Sequence, residues 1–268
     1  MTWWLAAALL VLGGCSQPAP GPAGPAPPTP APRLVVRQVA PASARLARLA
    51  RRLEATNVVG QVAVLVTDAL ALGPAPLEVV VRECGEPNGF YRPGGEVTIC
   101  YELVELANAA LGRTGDDLTR LDPRARAVLV FITLHELGHA VVDRLALPLG
   151  PAPGGDVAAQ AERIADEFGL LVMTSPSLTG APEVLVQPVA RYFLHHQGAY
   201  VQHASDPHGP SRDRAWAAAC VLAGRSGDPM FAAFLGDRLA HCPAEVAAMT
   251  TRWRRWLAPH RRGGVPLL

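Results

Sequence analysis

A helix that must be buried yet carries two imidazoles and a carboxylate leaves a chain few ways to fold. Residues 131–142, Phe-Ile-Thr-Leu-His-Glu-Leu-Gly-His-Ala-Val-Val, have that composition. Asp122-Pro123 marks the start: aspartate suits the N-cap and proline the first helical position, and the helix is expected to run to about Leu145, ahead of Pro148. His135 and His139 are four apart, so they stack one turn above the other on one face. Both can then reach one metal ion, with Glu136 beside them as the candidate base for a water on that ion.

Two histidines leave such an ion short of a protein ligand. After a Pro/Gly turn over 148–155, Asp156 can cap a second helix to about Thr174, ended by Pro176. The turn is short enough to bring this helix back antiparallel to the first. Glu162 and Asp166 are again four apart and share a face. Glu162 can complete a His-His-Glu site, and Asp166 can accept a hydrogen bond from the far nitrogen of a ligating histidine. Spacing alone leaves open which acid is the third ligand. Glu167 is expected to face solvent.

Around this helix pair the pattern is α+β, mostly helical with a small N-terminal sheet. Leu46, Leu49 and Leu53 recur at helical spacing within 43–55. The Val-rich runs 58–66 and 77–81 read as strands, and a turn from Cys84 leads into a further strand over 96–101. Helices are expected over 101–111, 184–201, 212–223, 230–240 and 244–257, with Trp253 and Trp256 in the core. All 24 basic residues are arginines, scattered among 23 acids for a net charge of +1. With no basic block, nucleic-acid binding by charge is excluded. Oligomeric state is not set by anything in the sequence.

The first 33 residues are of another kind. Residues 3–12 are apolar and too short to span a bilayer, as in a signal-peptide core. They lead into Val-Leu-Gly-Gly-Cys-Ser, which resembles a bacterial lipobox and implies a signal peptide over 1–15 with Cys15 acylated, although no Arg or Lys precedes the run. Residues 16–33, rich in Pro, Ala and Gly, read as a disordered tether before a domain spanning 34–262. Export to the periplasm or cell envelope follows, with a lipid anchor in the membrane, the outer one favoured. Processing at Cys15 leaves four cysteines for two disulfides. Cys84 with Cys100 and Cys220 with Cys242 close the shortest loops.

The two histidines and glutamate on one helix, with Glu-x-x-x-Asp on the next, resemble the gluzincin metallopeptidases. The chain is also similar to a bacterial family of metallopeptidase-like proteins of unknown function. That resemblance is carried by Cys84-Gly, Asn88 to Tyr91, Cys100-Tyr-Glu102, His135 to Ala140, Glu162 to Asp166, Asp206-Pro-His208, Arg214 and Cys220. Around Arg214 it leads one to expect a more polar and aromatic run than Arg-Asp-Arg-Ala-Trp. It implies a zincin-like domain that binds Zn2+ and hydrolyses peptide bonds, with Glu136 taking the proton from the attacking water. An extended peptide substrate is expected along the strand 96–101. A donor for the oxyanion is expected downstream among Tyr200, His203, His208 and Arg214, with His208 and Arg214 favoured as catalytic residues. Two rivals stand beside this: a non-catalytic, zinc-stabilised envelope lipoprotein serving as a scaffold, and a zinc amidase acting on cell-wall peptides.

Overall fold

The computed structural model describes residues 33–150, 156–176, 178, 182–199, 211–227, 231–262 and 267–268. The signal-peptide and lipid-anchor expectations, Cys15 included, fall outside these residues, as do Tyr200, His203, Asp206 and His208.

The chain enters through strand β1 (Leu34–Gln38), two helices α1 (Ala44–Thr56) and α2 (Val58–Ala69), and strands β2 (Leu77–Arg82), β3 (Gly89–Arg92) and β4 (Glu96–Cys100). Six helices follow: α3 (Glu102–Ala110), α4 (Pro123–Arg144), α5 (Val157–Met173), α6 (Pro182–Ala199), α7 (Ser211–Ser226) and the short α8 (Ala232–Leu235). Last comes α9 (Cys242–Leu257). This is the expected α+β class. The sheet is mixed, in the order β1-β2-β4-β3: β1 and β4 flank β2 in parallel, and β3 pairs antiparallel with β4 as a hairpin.

Three expectations are corrected here. Residues 58–69 are a helix, although valine favours strands. Its buried positions, among them Val59, Val62, Ala63, Val66 and Ala69, recur every three or four residues, and this stripe packs against α4; burial overrides propensity. The second correction concerns the strand expected to offer an edge. β4 is paired on both sides, to β2 and to β3, so among the described residues the outer strand on that side is β3, whose Gly-Phe-Tyr-Arg sequence lacks the alternation that marks a strand. The segment 230–240 also gives less helix than expected, one α turn followed by a 3-10 stretch over Gly236–His241.

Helix α4 is the hub. It packs against α2, α3, α5 and α6 and against β3 and β4. By length and apolarity alone it could cross a membrane, but 89% of its most apolar window is buried inside the protein. Its start is as expected: the Asp122 carboxylate accepts from the N–H groups of Arg124 and Ala125 at 3.0 and 2.9 Å, satisfying two of the donors a helix leaves unpaired. At its other end Arg144 donates to the carbonyls of Ala75 and Pro76, both at 2.9 Å, tying the helix to the entry of β2. Asp156 caps α5 in the same way, accepting from Ala159 N–H at 3.1 Å.

Candidate metal centre

The pairing of α4 and α5 builds the site, and Gly138 permits it. A Cβ at that position would stand 3.1 Å from the Ala165 Cα and 3.2 Å from its carbonyl oxygen. The glycine between Glu136 and His139 therefore lets the α5 backbone approach closely enough for short acidic side chains to reach the histidines.

Three donor groups converge there, two imidazole nitrogens and both oxygens of one carboxylate. His135 Nε2 lies 3.0 Å from Glu162 Oε2 and 3.2 Å from His139 Nε2, and His139 Nε2 lies 3.4 Å from Glu162 Oε1. A tetrahedral ion with bonds of about 2.0–2.1 Å spaces its ligands about 3.3 Å apart, so the donor set fits a metal of that geometry. The chemistry of the histidines agrees. His135 Nδ1–H donates to Asp166 Oδ1 at 2.8 Å, because an ionised carboxylate can only accept. A neutral His135 then turns the lone pair of Nε2 toward Glu162 and His139. Loss of the Nε2 proton would free that lone pair beside the Glu162 carboxylate, the arrangement a bound cation needs.

Electrostatics sharpen this. Burial by itself would lower the pKa of His135, yet the hydrogen bonds to Asp166 and Glu162 outweigh it and hold the pKa at about 9 without a metal. Burial would raise Glu162 and Asp166. Contact with His135 and His139 holds Glu162 far below the usual carboxylate range instead, and Arg214 together with His135 does so for Asp166. Both acids are thus ionised, as ligand and orienting group require.

Glu136 is buried beside these ligands and faces a cleft of about 530 Å³ bounded by β3, α4 and α5, with Gly89, Phe90, Tyr91, His139, Asp143 and Glu162 on its walls. A Cβ on Gly89 would be 3.0 Å from an Ile132 methyl and 3.3 Å from Glu136 Oε1, so the edge strand runs directly against the glutamate. Tyr91 O–H donates to Asp143 Oδ2 at 2.6 Å and fastens β3 to α4 one turn beyond His139. Burial and the Asp143 carboxylate raise the Tyr91 pKa to about 12. Sequence reasoning passed over this tie, since only the 52-residue link between the partners reveals it.

Of the expected site residues, the fold brings together His135, Glu136, His139, Glu162 and Asp166. Arg214 stands elsewhere: its guanidinium is directed at Asp166, and it lines a separate cavity of about 630 Å³ behind α5, not the cleft. Glu167 is not in solvent but buried, paired with Arg163 at 2.7 Å and with Arg252 of α9. Both expected cysteine pairs are bonded, Cys84–Cys100 and Cys220–Cys242. The first ties the loop leading to β3 onto the end of β4, and Glu102 accepts from the N–H groups of Cys84 and Gly85 at 3.1 and 2.7 Å.

No curated protein and no solved structure matches the chain. The model of one family, described as "Putative metallopeptidase", matches residues 39–257. That span holds both disulfides, the edge strand and all five residues gathered at the candidate site, and the chain belongs to this family.

Proposed function

We propose that the protein is a zinc-dependent, gluzincin-like metallopeptidase. The carrying observation is the set of three donor residues, His135, His139 and Glu162, whose nitrogens and carboxylate oxygens stand 3.0–3.4 Å apart, with a buried glutamate beside them in an open cleft. Imidazole and carboxylate ligands suit zinc, which when bound supplies Lewis acidity, polarising a carbonyl and lowering the pKa of water from about 15.7 to about 7. His135, His139 and Glu162 hold the ion, and Asp166 fixes the His135 ring through Nδ1. Glu136 takes a proton from the attacking water on a carboxylate oxygen and delivers it to the departing amine as the C–N bond breaks. An extended peptide adds to the outer edge of β3, its main-chain groups pairing with Phe90 and its neighbours.

The deciding experiment combines metal analysis with peptide-library cleavage for the parent, Glu136→Gln and Glu162→Ala. The expected pattern is one zinc in parent and Glu136→Gln, cleavage by the parent alone, and loss of zinc in Glu162→Ala. Zinc bound but nothing cleaved by the parent would sink the peptidase in favour of a scaffold. Zinc retained by Glu162→Ala would move the third ligand to Asp166. The protein works exported and anchored through acylated Cys15; a mature N-terminus without an acylated cysteine by mass analysis rules that out.

A further inference from the structure

The hydrolytic role leaves Arg214 without a task, yet its side chain is buried as an ion against a group that touches a ligand. Arg214 Nε donates to Asp166 Oδ2 at 2.7 Å and Nη2 to Asp166 Oδ1 at 2.6 Å. Asp166 Oδ1 also accepts from His135 Nδ1. The side chains of Arg214 and Asp166 are 16% and 9% exposed. On its other side the guanidinium lies over the Phe193 ring of α6, 4.4 Å from the centroid. Phe193 meets Phe131 edge-on at 5.4 Å, and Phe131 in turn lies 6.1 Å from the His135 ring.

We infer that Arg214 is a positioning residue of the metal centre: its two-pronged contact fixes the Asp166 carboxylate, which fixes the His135 ring, so that α7 governs how tightly the ion is held. This rests on the metal site proposed above. A carboxylate bound only to the histidine can still turn about its Cβ–Cγ bond and swing the acceptor away from Nδ1. Held at both oxygens by a planar fork it cannot, and the aromatic wall under the guanidinium keeps the fork itself from turning. Lysine has no fork, so charge alone does not substitute. The position of Arg214 behind α5 also explains why it supplies no donor to the cleft.

The test measures zinc affinity by chelator competition and records the visible spectrum of the Co2+ form. It compares the parent, Arg214→Gln, Arg214→Lys, Asp166→Asn and the double variant Asp166→Asn/Arg214→Gln. Groups behind a metal's ligands are worth about 10- to 100-fold in affinity. Arg214→Gln should fall in that range with altered Co2+ bands, and Arg214→Lys should remain about fivefold or more weaker than the parent. The double variant should bind no more weakly than Asp166→Asn alone, since the arginine acts only through the aspartate. It also removes both buried charges together, so it serves if Arg214→Gln does not fold. Parent-like affinity and spectrum in Arg214→Gln, full recovery in Arg214→Lys, or additive losses in the double variant would each overturn the inference while leaving the metal site standing. A parent that binds no zinc removes both.

Discussion

At the scale of single residues, the histidine pair and Glu136 were legible because a four-residue spacing on an apolar helix fixes their directions without any knowledge of the rest. The division of labour between Glu162 and Asp166 was not, since both share a face of α5; only the distances give Glu162 to the two Nε2 atoms and Asp166 to Nδ1. Glu167 was misread because its partner Arg252 lies 85 residues away. One prediction belongs here. The folded, metal-free pKa of His135, about 9, exceeds its ordinary value of 6.5. Protonation therefore favours the fold: the contribution is fully present below pH 6.5 and is lost as pH rises through about 9. Glu162 and Asp166 run oppositely, contributing above the ordinary carboxylate range and failing as pH falls toward their depressed values. A ligating histidine must be deprotonated, so zinc uptake at pH 7.5 should release about one proton from His135. Calorimetry in buffers of different ionisation enthalpy reads that number, and an uptake releasing none would show that His135 is already neutral.

Among the elements, those with their own start and stop signals were found from sequence, while those defined by neighbours were not. Asp122-Pro123 and Asp156 announce α4 and α5. The strand β3 is four residues long and exists by pairing with β4, and α2 is helical because one face meets α4. The α4–α5 contact is where an element-scale prediction can be made. A Cβ at position 138 would stand 3.1–3.3 Å from the Ala165 backbone and the Phe168 Cβ, and backbone cannot yield as a side-chain tip can. Gly138→Val should force the helices apart, destabilising the protein by about 1–3 kcal/mol. Because Glu162 rides on the displaced helix, zinc affinity should fall as well. Thermal melts of the metal-free protein and chelator competition separate the two effects; unchanged affinity in the folded variant would mean that the helix spacing does not set the donor geometry.

At the scale of the molecule, the main apolar core among the described residues runs from α1 and the sheet through α4 to α9, and a small second cluster forms around Cys220 and Cys242 between α7, α8 and α9. The two disulfides therefore brace different things. Cys220–Cys242 joins α7 to α9 across 22 residues, and Cys84–Cys100 spans 16 residues beside the loop that delivers β3 to the cleft. Loops of this size give about 3 kcal/mol each by restricting the unfolded chain, equivalent to roughly 6–12 °C in a chain of this length. Replacing either pair by alanine should thus lower the melting temperature by a similar amount. Their effects on turnover should differ. Without Cys84–Cys100 the edge of β3 is less well held, and a substrate that pairs with that edge binds the ground state and the transition state more weakly alike, raising KM with little change in kcat. Cys220 and Cys242 touch neither β3 nor the cleft, so their removal should leave KM as it was. Equal KM values for the two variants would separate β3 from substrate binding and leave the cleft to be filled from the α5 side.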